Sequence, residues 1–327
     1  MTDTRKVTVV GAGAQGAAIA QRIAECDAAG ELVLADVVAG RAEALAADLN
    51  QCRALTGHRT RAHGTVCSPE EDGYDRTAGS DLVVIAAGRR PEPDGDRLEH
   101  MRDNLLLVTE IAEQALRASP DAVVLVATNP VAELSRAVQR ATGLPPSRVI
   151  GQSPALDTAR FTHFVAEHFG VQVQQVRALT LGWHGEDVVP VVSGCTVQGR
   201  PLADLLDPED IEDLTDRARY AGAELSLLLR GQGGLRAPAL AAANIARAVL
   251  EDSGATLPVC AWVDGAFGIE EVWLGVEAEL GIRGVNKVWP TPLSAGELAA
   301  LRAAAEGSRV SQRQADALMA PVADPVA

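Results

Sequence analysis

Apolar runs alternate with helix-forming segments along the first half of the chain. The apolar, β-branched runs predict strands at 7–10, 32–35, 61–66, 81–88, 123–127 and 149–150. The segments between them predict helices at 17–24, 41–53, 98–118 and 131–141. Strands that alternate with helices form a parallel, doubly wound sheet, and its ligands bind at the carboxyl ends of the strands.

The pattern changes after Gly151. Helices are predicted at 155–169, 210–229, 239–251 and 294–317, and strands at 176–181, 188–193, 257–263, 272–277 and 284–289. The tail at 321–327 is expected to be loose. At 327 residues the chain is long enough for two domains, at about 150 residues each. We therefore predict an α/β protein with a doubly wound, parallel-sheet domain at 1–150 and an α+β domain with antiparallel strands at 151–327.

The first predicted strand runs directly into a glycine-rich turn, Gly11-Ala12-Gly13-Ala14-Gln15-Gly16. Gly11 allows the tight turn, Gly13 lets the backbone approach a pyrophosphate, and Gly16 lets the helix pack close to the strand. The helix N-terminus offers free N–H groups and a positive dipole end to the phosphates. Asp36 ends the second strand, where its carboxylate can accept hydrogen bonds from an adenosine ribose. These features predict a Rossmann-type dinucleotide site. NAD is favoured over NADP because Asp36 would repel a 2′-phosphate and no lysine or arginine immediately follows it.

The composition narrows the choice of partners. The net charge is −15, which argues against nucleic acid and anionic membranes as partners. No apolar run approaches the ~20 residues that a membrane helix needs, and residues 1–6 are too few and too polar for a signal peptide. We expect a cytoplasmic protein that acts on a small molecule.

Several kinds of site are excluded by residue type and spacing. The five cysteines are scattered without a close pair, which favours buried thiols over disulfides or a zinc site. The only lysines are Lys6 and Lys287, so neither a phosphate-binding Gly-Lys-Ser/Thr loop nor a Tyr-x-x-x-Lys pair is present. The other histidines have no metal-like spacing, and no metal is expected. Trp262, Trp273 and Trp289 lie on predicted strands and are expected in the core.

Two motifs in the second half suit acid–base chemistry and anion binding. In Leu156-Asp157-Thr158-Ala159-Arg160 the acid and the arginine are three residues apart, so a helix places them on one face. In Gly182-Trp183-His184-Gly185 a histidine lies between glycines just after a predicted strand. Histidine suits the proton transfer that accompanies hydride transfer to or from a carbinol carbon. A carboxylate on its far nitrogen would fix its tautomer, and an arginine would hold a substrate carboxylate bidentately.

These motifs resemble those of the lactate/malate dehydrogenase family, and the resemblance covers nearly the whole chain. The matching stretches are 11–16, 36, 86–104, 129–130, 151–160 and 182–190, and the stretches 219–229 and 237–239 are most similar to the lactate-dehydrogenase-like branch of malate dehydrogenases. The resemblance implies these roles: His184 as the acid/base, Asp157 as its partner, Arg160 as the clamp on the substrate carboxylate, Arg97 as the lid arginine that polarises the substrate carbonyl, and Asn129 beside the substrate oxygen and the nicotinamide. The implied coenzyme contacts are Gly11, Gly13, Ala14, Gln15, Gly16, Asp36, Ala87, Gly88, Asn104 and Asn129. A homodimer or homotetramer is also implied.

The chain departs from the family pattern around the substrate. Pro91 stands at the lid position where malate enzymes of the family carry arginine, although Arg89 and Arg90 directly precede it. The glycine-rich stretch 231–236 is one residue longer than usual and ends in Arg236. We expect Arg90 or Arg236 to meet the second carboxylate of a diacid substrate. If instead these arginines face solvent, the pocket is neutral and suits a monocarboxylate.

The sequence therefore predicts an NAD-dependent oxidoreductase that interconverts a 2-hydroxy acid and its 2-oxo acid, with malate and oxaloacetate favoured. The nearest alternative is the same chemistry on lactate or another 2-hydroxy monocarboxylate. A catalytically silent NAD-binding protein is an alternative of another class, and it is opposed by the joint presence of four residues: His184, Asp157, Arg160 and Arg97. An NAD-dependent glycosidase on a related fold would need a metal, and no cysteine or histidine cluster indicates one.

Overall fold

The computed structural model describes residues 4–67, 73–89, 95–185, 187–230 and 233–320, and strands alternate with helices in its first half. The strands there are β1 (Lys6–Val10), β2 (Glu31–Asp36), β3 (Arg61–Val66), β4 (Leu82–Ile85), β5 (Val123–Val126) and β6 (Val149–Gly151). The helices are α1 (Ala14–Glu25), α2 (Arg41–Thr56), α3 (Arg97–Ala118) and α4 (Val131–Thr142). They match the predicted elements apart from their ends.

The strands of the first half form one parallel sheet in the order β3-β2-β1-β4-β5-β6. Every residue of β4 and β5 is buried. Strands covered by helices on both faces have continuous apolar runs, because neither face meets water. The chain changes direction across the sheet between β1 and β4, which leaves a crevice at their carboxyl ends. The predicted doubly wound sheet is confirmed.

The second half mixes short strands with longer helices. Its strands are β7 (Val176–Arg177), β8 (Thr180–Gly182), β9 (Val188–Pro190), β10 (Thr196–Val197), β11 (Arg200–Pro201), β12 (Thr256–Val263), β13 (Val272–Gly281) and β14 (Gly284–Val288). Its helices are α5 (Ala155–Phe169), α6 (Pro208–Leu228), α7 (Arg236–Leu250) and α8 (Ala295–Met319). None of the helices in the described part of the chain combines the length and apolar content needed to cross a membrane.

Antiparallel strands of the second half extend the parallel sheet. Beyond β6 the order continues β12-β13-β8-β9, and β14 also pairs with β13. Among the described residues, eleven strands thus share one sheet, while β11, β10 and β7 form a separate small one. The antiparallel second half agrees with the prediction. The domain boundary near residue 150 stays a prediction, because β6 belongs to the parallel sheet and also pairs with β12.

A single row of paired residues crosses five strands where the two halves meet. Along this row the pairs are Val126 with Gly151, Gly151 with Cys260, Cys260 with Gly275, and Gly275 with Gly182. A Cβ on Gly275 would collide with the Gly182 carbonyl oxygen, and one on Gly151 would lie 2.8 Å from the Cys260 side chain. Close packing of the row therefore requires these glycines.

Helix α8 packs against both halves. It begins with a capping box, in which the Ser294 hydroxyl accepts the Glu297 N–H and the Glu297 carboxylate accepts the Ser294 N–H. Leu301 and Ala305 are buried on its inner face. The helix contacts α3 and α4 of the first half and β8, β9 and β13 of the second. It therefore forms a wall of the space between them.

Two predicted strands differ from the structure. The predicted strand 176–181 is two strands, β7 in the small sheet and β8 in the large one. The ladder is interrupted because the Thr180 N–H donates to the Thr158 hydroxyl at 3.0 Å. The predicted strand 188–193 ends at Pro190, and Val192–Gly194 forms a 3₁₀ turn. The two-residue strands β10 and β11 were too short to predict.

The tryptophans occupy different environments. Trp273 is fully buried, and Trp262, which is half-buried, packs against it with ring centroids 6.0 Å apart. Trp289, also predicted in the core, is 41% exposed. It follows β14 at the margin of the sheet, where the Lys287 ammonium lies 5.2 Å from its ring centroid. An apolar position at a sheet margin need not face the core. The predicted loose tail lies outside the described residues.

Candidate active site

The glycine turn joins β1 to α1 at the carboxyl end of the sheet. Gly11 has φ +99°, and a Cβ there would lie 2.5 Å from the Ala87 backbone nitrogen. A Cβ on Gly16 would collide with the Gly11 carbonyl oxygen. Gly13 has no atom within 4 Å of its Cβ position, and no side chain caps α1, which begins at Ala14. An open turn at an uncapped helix N-terminus fits the pyrophosphate of a dinucleotide.

Asp36 lies beside this turn at the end of β2 and is only 7% exposed. Its Oδ2 accepts the Ala12 N–H at 2.7 Å, and its Oδ1 accepts the Val38 N–H at 2.9 Å. The Arg41 Nη1 lies 3.3 Å from Oδ1 and 3.5 Å from Oδ2. No basic residue immediately follows Asp36 in the sequence, but the fold places one beside it.

Contacts between the ends of β4 and β5 shape the opposite side of the crevice. Gln15 donates from Nε2 to the Ala127 carbonyl at 3.0 Å, which ties α1 to the end of β5. Thr128 donates from Oγ1 to the Ala87 carbonyl at 2.7 Å. The Thr128 methyl carbon lies 2.5 Å from the Cβ position of Gly88, so a side chain there would not fit.

Asn104 was predicted to contact the coenzyme, but its side chain is bonded within the protein. The residue is 1% exposed, and its Oδ1 accepts the Arg89 N–H at 2.7 Å. Its Nδ2 lies 3.3 Å from the Asn129 carbonyl oxygen and 3.3 Å from His100 Nε2. Asn104 thus holds the loop after β4 against the segment that carries Asn129, and its direct contact with the coenzyme stays a prediction.

Asp157 is the centre of a buried polar cluster. It lies in the first turn of α5 and is 2% exposed. His184 Nδ1 lies 2.7 Å from Oδ2, Arg160 Nη1 donates to Oδ1 at 3.1 Å, and Ser153 Oγ donates to Oδ2 at 3.3 Å. One carboxylate therefore holds the predicted histidine and arginine together. With Nδ1 donating to Asp157, the histidine Nε2 is available for proton exchange with a ligand.

Two glycines shape the turn that carries His184. Gly182 has φ +90° and Gly185 has φ +110°, values that residues other than glycine rarely adopt. The His184 side chain is 30% exposed and that of Arg160 is 14% exposed, whereas Asp157 is sealed from solvent. A ligand can therefore reach the histidine and the arginine but not the acid that orients them.

The charges in the cluster shift its protonation. Burial lowers the pKa of His184, but the charge of Asp157 and the hydrogen bond to it raise that pKa more, so it lies above its ordinary value. Burial raises the pKa of Asp157, but the charge and hydrogen bond of His184, followed by the charge of Arg160, hold it below its ordinary value. An ionised acid beside a readily protonated imidazole suits proton transfer.

A cavity of about 660 Å³ adjoins His184. Arg97 at the start of α3 and Asn129 after β5 line it, and both are exposed. Trp183 and Ser311 of α8 also contribute to its walls. The cavity thus brings three predicted site residues around one space of a size suited to a small organic acid.

The cavity also contains a buried carboxyl group that sequence reasoning missed. Glu133 of α4 is 1% exposed, and its Oε2 has no hydrogen-bond partner among the described residues. Burial raises its pKa, against the opposing effects of a Ser311 hydrogen bond and the charges of Arg97 and His184. Burial therefore shifts Glu133 towards its protonated form, which can donate a hydrogen bond. The sequence held no signal for this, because an acid in a helix is usually on the surface.

Of the two arginines predicted to meet a second carboxylate, Arg236 is among the described residues and Arg90 is not. Arg90, Pro91 and residues 231–232 lie outside the described residues. Arg89 forms an ion pair with Asp103 at 2.8 Å. Arg236 is exposed at the start of α7 and does not line the described cavity, so its contact with the substrate stays a prediction.

Both halves of the chain match one family of known proteins. The model for the lactate/malate dehydrogenase NAD-binding domain matches residues 5–151, and the model for the alpha/beta C-terminal domain matches residues 155–311. The chain belongs to the lactate/malate dehydrogenase family. A malate dehydrogenase from Synechocystis sp. is 37% identical over 319 residues, covering 98% of this chain and 95% of that protein.

Solved structures of the family share this fold. Apo malate dehydrogenase from Picrophilus torridus matches with a TM-score of 0.91 and 30% identity, over 96% of this chain and 98% of that one. Lactate dehydrogenase from Cryptosporidium parvum, complexed with lactic acid and nicotinamide adenine dinucleotide, matches with a TM-score of 0.90 and 30% identity, over 98% of this chain and 100% of that one. The chain is therefore an NAD-dependent 2-hydroxy acid dehydrogenase. The silent-protein and glycosidase alternatives are not retained.

Proposed function

We propose that this dehydrogenase interconverts malate and oxaloacetate, with His184 as its acid/base. The main support for this reaction is the single buried carboxylate of Asp157, which is hydrogen-bonded to both His184 and Arg160. The relative named malate dehydrogenase, which matches nearly the whole chain, supports the choice of substrate.

Arg160 binds and orients the substrate. Its guanidinium presents parallel donors that match a carboxylate, and its bond to Asp157 fixes its position. Arg97, at the cavity margin, approaches the oxygen of the reacting carbon and stabilises the charge that develops there. Asn129 lines the same space and donates to that oxygen. The reacting carbon is thereby held in one orientation.

His184 transfers the proton. During malate oxidation its neutral Nε2 accepts the hydroxyl proton, and during oxaloacetate reduction the imidazolium returns it. Asp157 keeps Nδ1 protonated and stabilises the imidazolium. When bound, NAD supplies the hydride acceptor. Glycine-turn residues and Asp36 hold its pyrophosphate and adenosine ribose, with the predicted contacts at Ala87, Gly88 and Asn129 on the other side of the crevice.

A monocarboxylate such as lactate is the second candidate. Arg160 is assigned to the first carboxylate and Arg97 to the reacting oxygen. Among the described residues, no other arginine lines the cavity to meet a second carboxylate. A neutral Glu133 could donate to that group, but a hydrogen bond from a carboxyl is weaker than one from an arginine. The two candidates therefore differ in whether a cation from the lid or from the glycine stretch enters the pocket.

Substrate kinetics distinguish these candidates. We expect kcat/KM to be higher for oxaloacetate than for pyruvate, with NADH as the reductant. An Arg–carboxylate contact is worth about 1.5–3 kcal/mol, so Arg90→Ala or Arg236→Ala should raise KM for oxaloacetate roughly ten- to hundredfold. Arg117→Ala, at the far end of α3, is the matched control. If pyruvate is the better substrate, or if neither variant weakens oxaloacetate selectively, the lactate-type function replaces the malate one.

We also propose a homodimer or homotetramer in the cytoplasm. Large exposed apolar side chains at the end of α6 support self-association, and they are Leu225, Leu227, Leu228 and Leu229. In the part of the chain that the structure describes, the cysteines form no disulfide, which supports a reducing compartment. Analytical ultracentrifugation should give two or four times the mass of one chain, and Leu227→Lys with Leu228→Lys should lower it. A monomeric mass for the unmodified protein at micromolar concentration would contradict the assembly.

A further inference from the structure

Asp36 is held firmly by the backbone. Two main-chain N–H groups, from Ala12 and Val38, donate to its two oxygens at 2.7 and 2.9 Å. These are short, charge-assisted hydrogen bonds. The carboxylate therefore keeps its position without help from a side chain.

Arg41 is held much more loosely. The distances from its Nη1 to the Asp36 oxygens, 3.3 and 3.5 Å, exceed those of a strong ion pair, and its side chain is 48% exposed. The other guanidinium nitrogens make no described hydrogen bond among the residues that the structure covers. Most of its five donor hydrogens thus remain free for an anion from solvent.

The local backbone explains why Arg41 lies here. Gly40 has φ +79° and is the N-cap of α2, so the chain turns sharply and the first helical residue returns to Asp36. No side chain caps this helix, and no atom lies within 4 Å of the Cβ position of Gly40. An open, uncapped helix N-terminus carries partial positive charge beside the arginine. Glu43, in the first turn of the same helix, carries a negative charge that would repel an anion at this N-terminus.

We propose that Arg41 and the N-terminus of α2 form a subsite for a 2′-phosphate beside Asp36, so that the enzyme also binds NADP, with the charges of Asp36 and Glu43 opposing that binding. An aspartate at this position accepts from a ribose 2′-hydroxyl, whereas a nearby arginine accommodates a 2′-phosphate. Both elements are present in this chain. The subsite concerns coenzyme binding only, so it does not depend on which 2-hydroxy acid is the substrate.

Calorimetric titration with 2′,5′-ADP (adenosine 2′,5′-bisphosphate) and 5′-AMP tests the subsite without turnover. The two probes differ only in the 2′-phosphate. Arg41→Ala should weaken 2′,5′-ADP binding roughly ten- to hundredfold, the range expected for one charged contact, and change 5′-AMP binding less than about twofold. Arg53→Ala, in the last turn of the same helix, should change neither. Equal weakening of both probes, or no change for 2′,5′-ADP, would overturn the proposal.

Asp36→Asn supplies the complementary test. It retains an oxygen that can accept the Ala12 N–H and removes the negative charge. We expect 2′,5′-ADP to bind more tightly, by about tenfold, and 5′-AMP more weakly. Adding Arg41→Ala should abolish the gain. If the double variant keeps the tighter 2′,5′-ADP binding, Arg41 is not part of a phosphate subsite. Circular dichroism of each variant checks that it is folded.

Discussion

Replacing Asp157 with asparagine removes the anion shared by His184 and Arg160 but keeps the shape of the side chain. The amide oxygen can replace one of the two charge-assisted bonds, at 2.7 and 3.1 Å, but its NH₂ group then faces the other cation. Hydrogen bonds to charged groups contribute about 1.5–3 kcal/mol each. The charge of Asp157 and the hydrogen bond to it raise the pKa of His184, so Asp157→Asn should lower that pKa.

The pH dependence of oxaloacetate reduction measures this change. Reduction needs protonated His184, so kcat/KM is high below the pKa of the imidazole and falls above it. In the unmodified enzyme Asp157 raises that pKa, which keeps activity to higher pH. Asp157→Asn should move the fall to lower pH and reduce turnover roughly a hundredfold. Ser153→Ala, which loses only a 3.3 Å bond to the same carboxylate, is the matched control.

Stability provides a second measurement on the same variant. A raised pKa of His184 contributes stability that is complete below its unfolded value and is lost as pH rises through the folded one. The free energy of unfolding in urea should therefore fall more at pH 6 than at pH 9 in Asp157→Asn. The assigned role of Asp157 would be refuted if kcat/KM fell at the same pH in Asp157→Asn as in the unmodified enzyme. It would also be refuted if Ser153→Ala shifted that pH by as much.

Three further predictions concern other parts of the site. His184→Asn should leave NADH binding nearly intact, as measured by fluorescence titration, and reduce turnover by about 10²–10⁴; retention of most activity would contradict its role. Glu133 has a raised pKa, so its contribution to stability is lost as pH rises, and Glu133→Gln should raise the unfolding midpoint at pH 8 more than at pH 5. Gly13→Ala should fold normally but bind NAD weakly, whereas Gly16→Ala, whose Cβ meets the Gly11 carbonyl, should lower the melting temperature; equal melting temperatures would show that the turn tolerates both.

The parts that the sequence could predict depend on local patterns. β4 and β5 are continuous apolar runs because helices cover both faces of the sheet, and such runs are visible without a structure. Asp157, Arg160 and His184 were found because their motifs are specific. Each of these signals lies within a few adjacent residues.

The parts that it could not predict depend on contacts between distant elements. Nothing in the composition of α4 shows that Glu133 is buried, since that follows from α3 and α8 packing around the helix. The turn at Gly40 that returns Arg41 to Asp36 depends on one backbone angle. An apolar run such as 176–181 gives no sign of which sheet it joins, and here it joins two.

The row of paired residues from Val126 to Gly182 fixes the spacing of the groups that take part in the reaction. Asn129, Asp157 and His184 all lie a few residues beyond the ends of strands in that row, whose neighbours are separated by about 4.8 Å. The distances between these groups are thus set by hydrogen-bonded backbone. A side chain added at Gly275 would collide with the Gly182 carbonyl oxygen, two residues before His184, and would therefore disturb the position of the proton-transfer group.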